Sequence, residues 1–263
     1  MASEEPGLDV WTSGSYADVG VNFLPMAAHL VDAAGVESGQ RVLDVACGTG
    51  NVAVTAARRG AAVTGLDLTR SMLEGARANA ALANVDDVAW RQGDAAALPF
   101  DGDGFDATLS SVGHVFASPP EAVAAELLRV TRPGGRIAFT VWSPDGVVTE
   151  LAATLQAYLS STPETSPAPA QWTDADAVRS WLGGGVSDLA SETGAVEWPS
   201  LSPEHFWEAL STTAGAFVAG LAAVDEAERP ALRAEMIEAV EAAFDDGANA
   251  VPMAYRLTSA TVA

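Results

Sequence analysis

Three carboxylates in the first part of the 263-residue chain each lie in or just after an apolar run, and a loop with two glycines follows the first of them. Asp44 lies in "VLDVACGTGN" (42–51), ahead of Gly48 and Gly50, and Asp67 and Asp94 follow at or after two further apolar runs. Glycines allow positive φ and let a ligand approach the backbone without meeting a Cβ. A helix that begins there offers free N–H groups. This pattern predicts a loop that binds a nucleotide or nucleoside.

The carboxylates narrow the choice of ligand. Asp67, 17 residues beyond Gly50, can accept hydrogen bonds from two ribose hydroxyls, as in folds that bind NAD. Asp44 precedes the glycines, where an added negative charge suits a cationic centre better than a pyrophosphate. Asp94 is placed so that its side chain and the next backbone N–H could bind an adenine edge. We therefore expect a positively charged nucleoside without phosphates, and S-adenosylmethionine is such a ligand.

The elements that must position these residues alternate between apolar runs and alanine-rich segments, which predicts βα units and a parallel sheet. Thr69 is placed to cap the second helix, and Pro119 and Pro120 suit the first turn of the third. Continuous apolar strands predict helices on both faces of the sheet. The predicted strands are 41–46, 61–67, 87–92, 105–111 and 135–142, and the predicted helices are 51–59, 70–83 and 119–131.

After Trp142 the alternation is less regular. We predict a proline-rich connector (161–170), a helix (174–182), a strand (187–198), two amphipathic helices (203–224 and 226–245) and a closing strand (253–262). The predicted domains are an N-terminal helical lid (1–39), a ligand-binding core (40–198), a helical cap insertion (199–250) and a closing strand of the core sheet (251–263).

The composition sets limits on location and partners. No run approaches the roughly 18 uncharged apolar residues needed to span a bilayer, and the first residues lack the features of a signal peptide, so we expect a soluble, cytoplasmic protein. The single cysteine, Cys47, is expected to be a packed small side chain. With 35 acidic and 13 basic residues, the net charge of −22 makes nucleic acid a poor partner. Every basic residue is arginine, which fits a high-salt cytoplasm and a GC-rich genome equally well.

Five blocks in order, "VLDVACGTGN", "VTGLDLTRSML", "QGDAAALPF", "FDATLSSVGHVFA" and "ELLRVTRPGGRIAFTVW", resemble the class I S-adenosylmethionine-dependent methyltransferases, within them the branch similar to quinone-biosynthesis C-methyltransferases. The resemblance implies a Rossmann-like, doubly wound, mostly parallel seven-stranded sheet with a reversed last strand. It implies that Asp44 and Gly48 lie along the methionine moiety, that Asp67 holds the ribose and that Ser110 lies beneath the sulfonium. The full implied set that binds the cofactor is Tyr16, Asp44, Ala46, Gly48, Gly50, Asp67, Leu68, Asp94, Ala95 and Ser110.

His114 is the candidate catalytic residue, because it follows the fourth strand at the edge of the sheet where ligands bind. A neutral imidazole there could take a proton from a phenol, enol or thiol that accepts the methyl group. The family pattern usually has an apolar residue in this place, and a structural role for His114 is the alternative. Trp172 could line an acceptor pocket or belong to the core. No cluster of His, Cys and Asp has the spacing of metal ligands.

The resulting prediction is in-line methyl transfer to a small, partly apolar molecule such as a quinone precursor or a similar carbon or oxygen acceptor. The sulfonium is already reactive, so the protein has to hold the nucleophile about 3 Å from the methyl group and exclude water. The alternative is a non-catalytic S-adenosylmethionine-binding regulator or partner subunit. A nicotinamide dehydrogenase is disfavoured, because the chain has no lysine and no evident Tyr/Lys pair.

Overall fold

A computed structural model describes residues 19–159 and 169–263. Tyr16, the first part of the predicted lid and most of the predicted connector 161–170 lie outside the described residues. The strands of the described chain are β1 (Arg41–Val45), β2 (Ala62–Asp67), β3 (Val88–Gln92), β4 (Phe105–Ser111), β5 (Thr131–Trp142), β6 (Val186–Pro199) and β7 (Ala250–Val262). Its α-helices are α1 (Leu24–Ala33), α2 (Asn51–Ala57), α3 (Arg70–Leu82), α4 (Pro120–Val130), α5 (Val147–Tyr158), α6 (Ala175–Leu182), α7 (Pro203–Thr213), α8 (Gly215–Ala223) and α9 (Arg229–Ala243).

The strands form one seven-stranded sheet in the order β3-β2-β1-β4-β5-β7-β6. β1 lies between β2 and β4 and is parallel to both, and β3 and β5 continue the parallel pairing on either side. The last strand is antiparallel, which confirms the predicted fold class. Because the strand order reverses between β1 and β4, their carboxyl ends form the place where ligands bind in open α/β sheets.

The described chain divides into two compact units. The first comprises 23–141, 169–194 and 255–263, and its core packs sheet residues such as Leu43, Phe105 and Ile137 against α4 and α6. The second comprises 19–22, 142–159 and 195–254 and contains α5 and α7 to α9. The predicted domain boundaries stay a prediction.

Close packing between α5 and α8 and between β6 and α7 holds the second unit together. A Cβ added at Gly220 in α8 would lie 2.6 Å from Leu155 Cδ2 in α5, so the glycine lets the two helices approach. The rings of Trp198 and Phe206 pack edge to face with centroids 5.2 Å apart. Within 19–159 and 169–263, no helix is both long and apolar enough to cross a membrane.

Three local details differ from the prediction. The helix predicted over 203–224 is broken at Ala214, which is extended (φ −80°, ψ 100°), so α7 and α8 are separate. β5 begins at Thr131, four residues before the predicted start at 135, with Gly134 at φ +73° and a register shift between Phe105 and Ala107 of β4. Thr69 is at the N-cap of α3, but its side chain makes no capping hydrogen bond. Pro120 begins α4 as predicted.

Candidate active site

The backbone is strained where β1 and β4 end. Ala46 and Val112 adopt positive φ values of 52° and 63°, which L-residues rarely do and a β-branched residue such as Val112 almost never does. The two loops also touch, because a Cβ added at Gly113 would lie 2.4 Å from the carbonyl oxygen of Ala46. Strain of this kind persists only where the surrounding structure enforces it, and it clusters at functional sites.

Asp44 lies at the end of β1 with its side chain almost fully buried. Its Oδ2 accepts a hydrogen bond of 2.9 Å from the backbone N–H of Ala53 in α2, but its Oδ1 has no partner. Burial raises the pKa of Asp44 to about 8, an effect that the Ala53 hydrogen bond partly opposes. A buried, unpartnered carboxylate oxygen can pair with a cationic group of a ligand. The position of the cationic centre near Asp44 stays a prediction.

We expect the affinity for S-adenosylmethionine, relative to S-adenosylhomocysteine, to rise with pH up to about 8. The carboxyl is neutral in the free protein below that pH, and a nearby sulfonium favours the ionised form, so binding releases a proton. Linkage of one proton lowers Kd by up to about tenfold per pH unit below the pKa. Titration calorimetry with both ligands across the pH range measures the ratio of their Kd values.

The variant Asp44→Asn provides the control, because the amide cannot ionise and the ratio should become independent of pH. A wild-type ratio that stays constant would contradict a charge interaction at Asp44.

The ionisation of Asp44 also affects the stability of the free protein. Its pKa is raised from 3.8 to about 8 on folding, so its contribution to stability falls as pH rises through that range.

Asp67 ends β2 and joins two segments of backbone. Its Oδ2 accepts from the N–H of Gly48 and its Oδ1 from the N–H of Thr69, both at 2.8 Å. Burial raises the pKa of Asp67, and these hydrogen bonds oppose the increase. Each carboxylate oxygen keeps a second lone pair, so the side chain can still accept from two ribose hydroxyls.

The glycine loop packs against Trp90 of β3, a contact that the sequence did not predict. Gly48 and Gly50 have positive φ values of 52° and 88°, and Gly50 is the N-cap of α2. A Cβ on Gly50 would lie 2.8 Å from the indole of Trp90 in β3, and one on Gly65 would lie 2.5 Å from the same ring. The absence of a side chain at Gly50 therefore accommodates Trp90. Cys47 in this loop is buried, as expected of a packed side chain.

The loop after β3 lies beside the end of β2. The N–H of Gly93 donates to the carbonyl of Asp67 at 3.0 Å, and Gln92 Nε2 donates to the carbonyl of Leu68 at 2.9 Å. Leu68 and Asp94 are exposed, whereas Ala95 is buried. Asp94 Oδ1 accepts from the N–H of Ala96 at 2.8 Å. Leu68, Asp94 and Ala95 thus follow adjacent strand ends next to Asp67, and their adenine contacts stay a prediction.

Ser110 and His114 form a separate buried pair at the end of β4. Ser110 Oγ lies 2.7 Å from the carbonyl of Val45, 3.2 Å from the backbone N of His114 and 3.1 Å from His114 Nδ1. The imidazole is fully buried, and its ring centroid lies 4.8 Å from that of Phe139 and 4.5 Å from that of Trp172. Burial lowers the pKa of His114 to about 3. The role of general base for His114 stays a prediction.

The structure therefore unites most of the predicted site in one strip along the strand ends. Asp44, Gly48 and Asp67 lie around the start of α2, and Ser110 reaches β1 through Val45. Sequence reasoning missed Trp90 and the contact of Trp172 with His114. The spacing of residues along the chain carries no signal for either, since both depend on side-chain packing between distant segments.

Comparison with known proteins agrees with this geometry. A family model described as a methyltransferase domain matches residues 42–135. An uncharacterized protein of Mycobacterium tuberculosis is 39% identical over 188 residues, which are 71% of this chain and 68% of the relative. A demethylmenaquinone methyltransferase of Renibacterium salmoninarum is 40% identical over 114 residues, covering 43% of this chain and 46% of the relative.

Among solved structures, a putative methyltransferase of Bacillus halodurans superposes with a TM-score of 0.58 and 18% identity. The match covers 89% of this chain and 97% of that one, and it shows the fold. The matched segment 42–135 contains the glycine loop and all three carboxylates. From these matches and the strand-end geometry it follows that the chain belongs to the class I S-adenosylmethionine-dependent methyltransferases.

Proposed function

We propose that this enzyme transfers the methyl group of S-adenosylmethionine to a small, partly apolar molecule, a quinone precursor or a similar carbon or oxygen acceptor. The observation that carries the cofactor part is the buried Asp44, whose Oδ1 has no hydrogen-bond partner and whose strand leads into the loop that Asp67 holds. The acceptor class is supported by two demethylmenaquinone methyltransferases, whose similarity covers 43% and 40% of this chain.

The bound cofactor supplies a methyl group on a sulfonium that is already electrophilic. The residues of the chain then have to bind the cofactor and the acceptor, orient them and exclude water. We propose that Asp44 faces the cationic part, that Asp67 accepts from the ribose hydroxyls and that Ser110 forms the floor near the reacting centre. The positive φ of Ala46 and Gly48 orients backbone toward the ligand between these side chains.

Acid–base help from the protein is a minor requirement in this proposal. The fully buried His114 is a weak base with a pKa of about 3, so it would take a proton only from an acceptor that is itself readily deprotonated. We further propose that Tyr16 binds the cofactor and that the choice of acceptor depends on residues 151–250.

Titration calorimetry with S-adenosylmethionine, S-adenosylhomocysteine and NAD tests the cofactor part. We expect micromolar Kd values for the two sulfur nucleosides and no binding of NAD above pH 8, where Asp44 is ionised and would oppose a pyrophosphate. Transfer of tritium from labelled S-adenosylmethionine to a panel of naphthols, hydroquinones and their thiol analogues tests the acceptor. A folded protein that binds NAD alone would refute the proposal, and label transfer to thiols alone would refute the carbon or oxygen acceptor.

A further inference from the structure

The proton positions in the Ser110–His114 pair follow from the hydrogen bonds. A carbonyl oxygen can only accept, so the single proton of the Ser110 hydroxyl points to Val45 O, 2.7 Å away. Toward His114 Nδ1, 3.1 Å away, Ser110 Oγ must therefore act as the acceptor. His114 then carries its proton on Nδ1, and Nε2 is left with a lone pair that can only accept.

One nitrogen atom of His114 and one of the adjacent Trp172 lack hydrogen-bond partners. His114 Nε2 and Trp172 Nε1 are both buried without a hydrogen bond, and their side chains are 0% and 2% exposed. The two rings pack edge to face with centroids 4.5 Å apart. An unpartnered buried polar atom costs free energy and calls for a missing partner. His114 Nε2 is an acceptor, and Trp172 Nε1, on the ring packed against the imidazole, is a donor.

Few chemical groups can satisfy both atoms. A carbonyl, ether or carboxylate only accepts, which would leave His114 Nε2 unpaired, and an ammonium only donates, which would leave Trp172 Nε1 unpaired. A hydroxyl does both. His114 Nδ1 lies within hydrogen-bond distance of Ser110, which is near the carboxyl end of β4. β4 pairs with β1, the strand that leads into the glycine loop.

We propose that His114 and Trp172 bind one hydroxyl group of the methyl acceptor, which donates to Nε2 of the imidazole and accepts from Nε1 of the indole. The inference rests on the proposed function and narrows its acceptor to a hydroxylated molecule. His114 thus determines specificity, and Ser110 fixes the tautomer that lets it do so.

Two probes that differ by one methyl group test the proposal. 2-Naphthol can donate and accept a hydrogen bond, whereas 2-methoxynaphthalene can only accept. Each is titrated into protein saturated with S-adenosylhomocysteine. We expect 2-naphthol to bind about tenfold more tightly, because only the hydroxyl satisfies His114 Nε2. The variant His114→Phe keeps an aromatic ring between Phe139 and Trp172, and the preference should disappear.

The variant Trp172→Phe gives a different expected pattern. Both probes can accept from the indole N–H, so its loss should weaken both by a similar factor and leave their ratio unchanged. A purely structural role of the two side chains would instead weaken both probes in both variants. Thermal unfolding and the Kd for S-adenosylhomocysteine establish that each variant is folded.

The remaining outcomes are equally decisive. Equal affinity of the wild type for the two probes, or binding of neither while S-adenosylhomocysteine binds, would overturn the hydroxyl site and leave the proposed function intact. Failure to bind S-adenosylhomocysteine would contradict the proposed function itself, and with it the site that rests on it. A crystal structure of the 2-naphthol complex provides the last test. A water molecule that stays on both nitrogens there would assign the pair to water and overturn the proposal.

Discussion

Replacement of Asp67 by alanine should weaken binding of S-adenosylmethionine by about 100-fold or more. The carboxylate holds the N–H groups of Gly48 and Thr69 and is proposed to accept from two ribose hydroxyls. Hydrogen bonds to charged groups contribute about 1.5–3 kcal/mol each, and each 1.4 kcal/mol changes Kd about tenfold. Calorimetric titration of the purified variant measures the loss, which should be the same for S-adenosylhomocysteine because both ligands carry the ribose.

Two variants separate the causes. Asp67→Asn keeps one carbonyl oxygen and a similar shape, so it should lose less affinity than Asp67→Ala. Asp176→Ala removes an exposed aspartate whose side chain pairs with Arg179, and it should leave Kd unchanged. A normal Kd in folded Asp67→Ala would exclude a role for this carboxylate in holding the ribose.

The variant Gly113→Ala should lower the free energy of unfolding by about 2 kcal/mol or more. A Cβ at this position would lie 2.4 Å from Ala46 O and 2.7 Å from Ala46 Cβ. A backbone carbonyl cannot move aside as a flexible side chain can, so the ends of β1 and β4 must separate. Because Ala46 precedes the glycine loop, the affinity for S-adenosylmethionine should fall as well. Guanidinium unfolding and titration calorimetry measure the two effects.

Gly184→Ala is the matched control, because no atom lies within 4 Å of a Cβ added there and its φ is not positive. Its free energy of unfolding should stay within about 0.5 kcal/mol of the wild-type value. If Gly113→Ala were as stable as Gly184→Ala, the close approach of the two loops would not exist in solution.

The sequence predicts the parallel half of the fold well, because local patterns specify it. β4 begins and ends at the predicted residues, 105 and 111, since apolar residues alternate with polar ones in FDATLSS, which is the two-residue period of a strand. The three carboxylates were expected at successive strand ends, and Asp44 and Asp67 share the glycine loop there. Topology brings strand ends together without any further information about side chains.

The features that the sequence did not predict depend on contacts between distant segments. The sequence explains the glycine at position 50 by ligand approach, whereas the structure packs Trp90 against it. His114 and Trp172 are 58 residues apart, so no periodicity could have paired them. The break at Ala214 was missed because alanine favours helix and the hydrophobic pattern continues across it.

The strand order has a consequence for synthesis of the protein. β7 lies between β5 and β6, although it follows β6 by 50 residues of chain. While the ribosome makes those residues, β6 has no hydrogen-bonded neighbour, because its only partner in the sheet is still untranslated. The nascent chain therefore presents an unpaired strand that other chains could bind. Once residues 250–262 have left the ribosome, β7 completes the sheet and removes this hazard.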